Sequence, residues 1–186
     1  MKYLVILNPT SGRGYAETVI PKIEESLSVH GLDFEIKRTE RPWHAAELAE
    51  EAAKNSVDVL VSASGDGTAN EVLNGLMRAR TVGYTQTAMG ILPVGTGNDF
   101  AYGMGLPDDL DKACAALAEN KRMRIDVGMV KGGDYPEGRY FGNGVGIGFD
   151  AAVGFEAEKV TWTRGLLAYL IAAMRTVFLY YNAPSV

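Results

Sequence analysis

At 186 residues, the chain is long enough for one complete domain and part of a second. Its hydrophobic content of 47% indicates a globular protein, and its formal net charge of −5 excludes a general nucleic-acid binder, which needs a basic face. A single cysteine, Cys114, excludes internal disulfides and cysteine metal clusters. The first residues lead directly into a short apolar segment without a signal peptide, so we expect a cytoplasmic protein.

Apolar strand segments alternate with amphipathic helical segments through the first two thirds of the chain. The patterns predict strands at 3–7, 34–37, 57–62 and 89–94, and helices at 19–30, 45–54, 69–78 and 110–117. This alternation is typical of right-handed βαβ units, which form a mostly parallel sheet with helices on both faces. The sequence therefore predicts an α/β domain over residues 1–121.

The pattern changes after Lys121. Residues 124–131 and 139–146 are predicted to form a β-hairpin around a Gly, Asp and Pro turn. Alternate glycines from Gly142 to Gly148 are typical of a strand that a ligand or another backbone approaches closely. The apolar segment 166–180 is shorter than the roughly 20 residues that span a bilayer, so we interpret it as a helix packed on protein. Residues 122–186 are thus predicted to begin a β-rich second domain.

Glycine-rich turns that also carry hydroxyl side chains follow three of the predicted strands. They are Asn8-Pro9-Thr10-Ser11-Gly12-Arg13-Gly14, Ser64-Gly65-Asp66-Gly67-Thr68 and Pro93-Val94-Gly95-Thr96-Gly97-Asn98-Asp99. Any one of them could simply reverse the chain. The carboxyl ends of parallel strands form one ligand crevice, however, so we expect the three turns to meet there.

These turns have the chemistry of a phosphate site. Glycine lets backbone N–H groups approach phosphate oxygens, and hydroxyls at the start of a helix add donors where the helix dipole favours an anion. Asp66, which lies between two glycines, would repel a phosphate that it met directly. A cation must therefore intervene, and Asp66 is the candidate ligand of a Mg²⁺ ion on a nucleotide, directly or through water.

Two common phosphate loops are excluded by the sequence. No glycine turn continues into the Gly-Lys-Ser/Thr of a Walker loop. A dinucleotide fingerprint needs Gly-x-Gly-x-x-Gly after the first strand, but Gly12-Arg13-Gly14 continues as Tyr15-Ala16-Glu17.

The three turns together resemble the catalytic region of diacylglycerol kinases and related bacterial lipid kinases. The matching residues are Asn8-Pro9-x-Ser11-Gly12-x-Gly14, Gly65-Asp66-Gly67-Thr68 with Asn70-Glu71-Val72, and Pro93-x-Gly95-Thr96-x-Asn98-Asp99-Phe100-Ala101. Thr39 with His44-Ala45, Ile125-Asp126-Val127 and Phe141-Gly142-Asn143 through Phe149-Asp150 extend the resemblance over essentially the whole chain. The Gly-Asp-Gly-Thr core also resembles NAD kinases and phosphofructokinases, which implies their type of nucleotide-binding domain.

The resemblance implies a site for ATP and Mg²⁺, with Asp66 beside the phosphates as the metal and catalytic residue. The implied ATP contacts are Asn8, Pro9, Ser11, Gly12, Thr39, Ser64, Gly65, Asp66, Gly67, Thr68, Ala69, Asn70 and Thr96. Asp99 and Asp126 match positions near the cleft, where a structural hydrogen-bonding role is an equal alternative. His44 is interpreted as a helix-start residue.

The sequence departs from the family pattern in two places. Ser64 stands where most relatives have glycine, although sphingosine kinases are similar to this chain there. The family's general base and structural metal site are expected beyond Val186.

The expected function is transfer of the γ-phosphate of Mg-ATP to a lipid hydroxyl, with transient contact at a membrane surface. Diacylglycerol, a sphingoid base, ceramide and a polyprenol are the candidate acceptors. A nucleotide-binding fragment without catalysis and a soluble-substrate kinase of the NAD kinase type are the alternatives. An unfinished β-rich domain would leave an exposed strand edge, which makes a homo-oligomer through that domain a further expectation.

Overall fold

The computed structural model describes residues 1–133, 135–160, 163 and 165–180. The chain divides into two compact units, residues 1–143 and 144–186. The predicted domain boundary after Lys121 stays a prediction.

A parallel four-stranded sheet forms the centre of the first unit, as the sequence predicts. In chain order the strands are β1 (Lys2–Leu7), β2 (Asp33–Arg38), β3 (Val59–Ser64) and β4 (Ala88–Pro93), and their order across the sheet is β2-β1-β3-β4. The third strand extends to Ser64, which lies opposite Pro93, and not to 62 as predicted. Sheet pairing therefore sets where this strand ends.

Helices cover both faces of the sheet. They are α1 (Tyr15–Thr18), α2 (Ile20–Val29), α3 (His44–Lys54), α4 (Asp66–Thr81), α5 (Asp99–Gly103) and α6 (Leu110–Glu119). Val5 and Val61 face one core with α2 and α6, and that core includes Cys114. Leu4 and Leu60, one residue earlier on the same strands, face the opposite core with α3 and α4. This alternation follows from the two-residue period of a strand.

Helices α3 and α4 approach each other closely because small residues line their contact. A Cβ placed on Gly75 would collide with the carbonyl oxygen of Ala46 and would lie 2.8 Å from the Cβ of Ala49. The close approach fixes the axis of α4, the helix that begins at the end of β3.

An antiparallel hairpin follows the parallel sheet and belongs to the first unit. Its strands are β5 (Gly128–Gly132) and β6 (Tyr135–Phe141), with Gly128 opposite Phe141. The first strand begins four residues later than predicted, because residues 124–127 are not in a strand. The second runs over 135–141 instead of 139–146, so Pro136 of the predicted turn lies in β6. Asp134, in the predicted turn, lies outside the described residues.

The glycine-rich segment after β6 was wrongly predicted as a strand. Gly142 packs against side chains instead, because a Cβ there would lie 2.8 Å from Cζ of Phe100 and 3.2 Å from Cδ2 of Leu73. Because glycine has no side chain, the backbone at this position packs closely against α5 and α4.

The described part of the second unit is helical. It contains α7 (Phe149–Lys159) and α8 (Gly165–Arg175), which continues as a π-helical segment, Thr176–Tyr180. The predicted helix at 166–180 is confirmed, whereas α7 was missed. Val153, Val160 and Ala172 form the buried contact within this unit. In the described part of the chain, no helix has both the length and the apolar character needed to cross a bilayer.

A buried carboxylate connects the two helices of the second unit. Glu156 is only 5% exposed, and it accepts hydrogen bonds from Nζ of Lys159 and from Nε of Arg175 on α8. The bond from Lys159 and the nearby charges hold the pKa of Glu156 below its usual value. The carboxylate thus supplies one polar contact between α7 and α8, and the hydroxyl of Tyr169 on α8, which donates to Oδ1 of Asp150 at 3.0 Å, supplies another.

Replacing Glu156 with glutamine should loosen the contact between α7 and α8. Because the folded pKa is depressed, the stabilisation is present above the ordinary glutamate pKa of about 4.3 and is lost as pH falls through the folded value. On acidification from pH 7 to pH 3, we expect the helical amides of the second unit to lose protection from hydrogen exchange more steeply in wild type than in Glu156→Gln. An equal pH response of both proteins would contradict this role.

Candidate phosphate-binding site

The three glycine turns meet at the carboxyl ends of β1, β3 and β4. Nδ2 of Asn8 in the first turn donates to Oγ1 of Thr68 at 2.8 Å, and the N–H of Gly65 donates to Oγ of Ser11 at 3.3 Å. Gly65 also lies directly against Gly95 of the third turn, where a Cβ on Gly95 would be 2.9 Å from the Gly65 nitrogen. The predicted convergence of the turns is therefore present in the structure.

The first turn is held by Asn8 and by a run of left-handed backbone. Oδ1 of Asn8 accepts from the N–H and the hydroxyl of Thr10, at 3.0 and 2.9 Å. Gly12, Arg13 and Gly14 all have positive φ angles, of 59°, 59° and 91°. A Cβ on Gly12 would also lie 2.6 Å from the carbonyl oxygen of Val94, so this position requires glycine both for conformation and for space.

The second turn is shorter than the sequence predicts. Strand β3 ends at Ser64, Gly65 is extended, and α4 begins at Asp66, so Asp66, Gly67 and Thr68 form the first helical turn. The first N–H groups of a helix have no intrahelical acceptor, and the dipole of the 16-residue α4 concentrates positive potential there. The site thus combines a helix N-terminus with the surrounding turns, which is a favourable arrangement for an anion.

The hydroxyl of Ser64 is already engaged within the protein. Ser64 is 2% exposed, and its Oγ lies 2.6 Å from Oγ of Ser62 and donates to the carbonyl of Gly65 at 3.1 Å. A serine in place of the more usual glycine is therefore accommodated by burial at the end of β3.

Asp66 has two different surroundings for its two carboxylate oxygens. Oδ1 accepts a hydrogen bond from the N–H of Phe100 at 2.8 Å, near the start of α5. Oδ2 faces Gly97, where a Cβ would lie 3.0 Å from it and 3.7 Å from Oδ2 of Asp99. One oxygen therefore holds the third turn, and the other is directed towards Gly97, which the carboxylate of Asp99 also approaches.

The carboxylate of Asp66 fits Mg²⁺, which is usually bound by one or two carboxylates together with phosphate oxygens and water. Among the described residues, no group of three or more His, Cys, Asp or Glu side chains is placed to hold a metal alone. Phosphate oxygens and water are therefore the further ligands that a cation at Asp66 would take.

Asn98 closes the third turn. It has a φ of 58°, its Oδ1 accepts from the N–H of Gly95 at 2.9 Å, and its Nδ2 donates to the carbonyl of Gly95 at 3.2 Å. Thr96, at the tip of the turn, is exposed. Asn98 was not among the predicted site residues, although its place in Gly-Thr-Gly-Asn, where left-handed backbone favours asparagine, could have indicated this role.

Thr39 lies at the same edge of the sheet, where its N–H donates to the carbonyl of Leu7 at 2.8 Å. It therefore adjoins the beginning of the first turn. Nδ1 of His44 accepts from the N–H of Glu40 at 3.1 Å, so this histidine holds the start of α3.

Two predicted nucleotide contacts have side chains directed elsewhere. Ala69 is buried among the apolar residues that α4 and α5 share. Asn70 donates from Nδ2 to the carbonyl of Tyr140 at 2.9 Å and accepts from Nε of Arg139 at 3.0 Å. The predicted site residues thus divide into those at the turns and those that connect α4 to its neighbours.

The parallel sheet and the three turns define an α/β protein with a kinase-like fold. The model of the diacylglycerol kinase catalytic domain matches residues 2–130, and the chain belongs to this family. It is 33% identical over 172 residues to a diacylglycerol kinase of Bacillus subtilis (strain 168), covering 91% of this chain and 54% of that protein. A diacylglycerol kinase of Staphylococcus saprophyticus subsp. saprophyticus is 32% identical over 168 residues, or 90% of this chain and 52% of that protein.

A solved structure supports the same fold. A diacylglycerol kinase crystal structure from Bacillus anthracis str. Sterne is 30% identical and superposes with a TM-score of 0.56, over 69% of this chain and 42% of that one. The chain spans about half the length of the curated relatives that it matches.

Proposed function

We propose that this chain provides the Mg-ATP site of a lipid kinase, which transfers the γ-phosphate of ATP to the hydroxyl of diacylglycerol. The observation that carries the proposal is the meeting of three glycine turns at the N-terminus of α4, beside the carboxylate of Asp66. The names of the relatives favour diacylglycerol over the other lipid alcohols as acceptor.

Phosphoryl transfer depends mainly on positioning and on neutralising charge, and the residues at the turns suit both tasks. The first turn of α4 would bind phosphate oxygens through its N–H groups, and Gly67 leaves the backbone there open because a Cβ at this position would meet no atom within 4 Å. Mg²⁺ would supply charge neutralisation at the phosphates, and Asp66 would hold it there with Asp99 alongside. Asn8 and Asn98 would act indirectly by fixing the shapes of their turns.

Because the chain spans about half the length of the curated relatives that it matches, we propose nucleotide binding for the 186-residue chain and complete transfer for the whole protein. The whole protein would act in the cytoplasm, in transient contact with a membrane that contains the acceptor. Flotation of the protein with vesicles containing diacylglycerol, but not with vesicles lacking it, is the expected result.

Substitution of Gly67 tests the phosphate site directly. A Cβ at Gly67 meets no atom within 4 Å, so Gly67→Ala should leave the midpoint of thermal unfolding unchanged or slightly higher. If a phosphate approaches this backbone, the added methyl group blocks it. We expect the affinity for Mg-ATP to fall roughly tenfold or more in calorimetric titration, equivalent to about 1.4 kcal/mol or more.

Gly154→Ala is the matched control, because a Cβ at Gly154 also has open space and this residue lies on helix α7, outside the three turns. Tight Mg-ATP binding by both variants would contradict a phosphate at the first turn of α4. No Mg-ATP binding by folded wild type would contradict the nucleotide site as a whole.

A further inference from the structure

A side-chain amide occupies the outer edge of β6. The N–H of Tyr140 donates to Oδ1 of Asn74 at 2.9 Å, and Nδ2 of Asn74 donates back to the carbonyl of Tyr140 at 3.0 Å. Nδ2 of Asn70 donates to the same carbonyl at 2.9 Å. Within a strand, the N–H and C=O groups of one residue point to the same side, and those of the next residue point to the other side. Both groups of Tyr140 bond to Asn74, so they point away from β5. Asn74 therefore takes the place of a further strand.

The interior position of Asn74 supports this interpretation. The residue is 3% exposed, and its Nδ2 also donates to the carbonyl of Asn70, one turn earlier on α4, at 2.8 Å. A buried carboxamide is costly unless it is hydrogen-bonded, and here Tyr140 supplies both a donor and an acceptor. We call Asn70 and Asn74, with the peptide groups of Tyr140, the asparagine clamp.

The hairpin depends on such a contact for its position. Strands β5 and β6 form a two-stranded sheet, and an isolated two-stranded hairpin is marginally stable in water. The clamp fixes β6 on the second and third turns of α4, the helix whose first turn carries Asp66.

From the clamp, a continuous path of contacts leads back to Asp66. Two residues after Tyr140, Gly142 packs against the ring of Phe100, where a Cβ would lie 2.8 Å from Cζ. The N–H of Phe100 donates to Oδ1 of Asp66 at 2.8 Å. The path therefore begins on α4, passes through β6 and α5, and ends at the first turn of α4.

We propose that Asn74 is a positioning residue for the nucleotide site. Its clamp on Tyr140 holds Gly142 against Phe100, and Phe100 in turn orients the carboxylate of Asp66. Asn74 lies eight residues after Asp66 on α4, or about 12 Å along the helix axis, so it acts through these contacts rather than on the phosphates themselves. The inference rests on the proposed function for the role of Asp66, and it places Asn70 in the clamp instead of at the nucleotide.

Hydrogen exchange of two backbone amides tests the path without requiring any activity. In the 186-residue chain, Asn74→Ala removes the acceptor of the Tyr140 amide, and we expect exchange there to accelerate roughly tenfold. The same variant should accelerate exchange at Phe100, whose own partner, Asp66, is unchanged. Thr81→Ala is the matched control on α4, because it removes only a bond from Oγ1 to the carbonyl of Arg78. It should alter neither amide.

Accelerated exchange at Tyr140 with unchanged exchange at Phe100 would overturn the proposal, and so would no change at either amide. If Asn74→Ala also exposes core amides such as Val5 and Val61, Gly142→Ala interrupts the path at its next contact. That variant should accelerate exchange at Phe100, and an unchanged Phe100 amide would again overturn the proposal.

Calorimetric titration with Mg-ATP adds the functional readout. We expect Asn74→Ala to weaken Mg-ATP binding by roughly threefold to tenfold, while Thr81→Ala binds like wild type. An Asn74→Ala affinity equal to wild type would overturn the positioning role. Failure of wild type to bind Mg-ATP would contradict the proposed function instead, and the exchange at Tyr140 and Phe100 would still decide whether the path exists.

Discussion

Asp66→Asn is expected to lose most of the affinity for Mg-ATP while keeping the fold. Asparagine retains an oxygen that can accept from the N–H of Phe100, the bond that Oδ1 of Asp66 makes at 2.8 Å. It lacks the negative charge that would hold Mg²⁺ beside the phosphates. Because interactions with a charged group contribute about 1.5–3 kcal/mol, calorimetric titration should show a loss of roughly tenfold or more.

Asp66→Ala separates the two roles of this side chain. It removes the charge and also the acceptor for Phe100, so it should lose affinity as Asp66→Asn does and additionally lower the free energy of unfolding by about 1 kcal/mol. If phosphoryl transfer is carried out as proposed, a protein that contains this chain should lose it by roughly a hundredfold or more with either variant.

The control for charge removal is Asp111→Asn. Asp111 is an exposed aspartate on α6 that pairs with Lys22, remote in sequence from the three turns. It should bind Mg-ATP like wild type. Equal affinity of wild type and Asp66→Asn for Mg-ATP would show that the carboxylate does not hold the metal.

Gly95→Ala is expected to have the largest effect on the shape of the site. A Cβ at this position would collide with the Cα of Gly65 and would lie 2.9 Å from the Gly65 nitrogen and 2.8 Å from Oδ1 of Asn98. Two of these atoms belong to the backbone, so the second and third turns must move apart. Overpacking of this kind costs about 1–3 kcal/mol, and we expect both a lower unfolding midpoint in thermal denaturation and a loss of Mg-ATP binding.

Gly67→Ala makes the same chemical change two residues away from Gly65 without a steric conflict. The pair therefore distinguishes two effects, because Gly95→Ala should lower stability and affinity together, whereas Gly67→Ala should lower affinity alone. Unfolding midpoints that are equal for the two variants would contradict the close contact between the turns.

The sheet and the turns were predictable from short-range patterns. Apolar runs followed by glycine and hydroxyl residues indicated where β1 ends and, to within two residues, where β3 and β4 end, and parallel pairing brought these ends together. The exact start of α4 was not predictable, because Ser64 extends β3 by pairing with Pro93. Helix α7 was missed because the alternating glycines before it resemble a strand pattern. In the structure the first of these glycines, Gly142, is not in a strand and packs on Phe100.

The asparagine clamp had no signal in the sequence. Asn70 is a polar residue in a family motif and was assigned to the nucleotide, and Asn74, one turn later, attracted no prediction. Their partner Tyr140 lies 70 and 66 residues away along the chain. A polar side chain on a helix is usually solvated, and only the packing of β6 against α4 shows that these two amides are bonded to a strand.

The sequence alone therefore determined the α/β class, the three turns and the family resemblance, since periodicity and backbone preference act over a few residues. The tertiary structure decided which groups the turns bring together and which side chains support them. The bond from Phe100 to Asp66 spans 34 residues, and the clamp spans more, so neither follows from local pattern. Such hydrogen bonds form on folding, because packing excludes water and buried polar groups then bond to other groups of the protein.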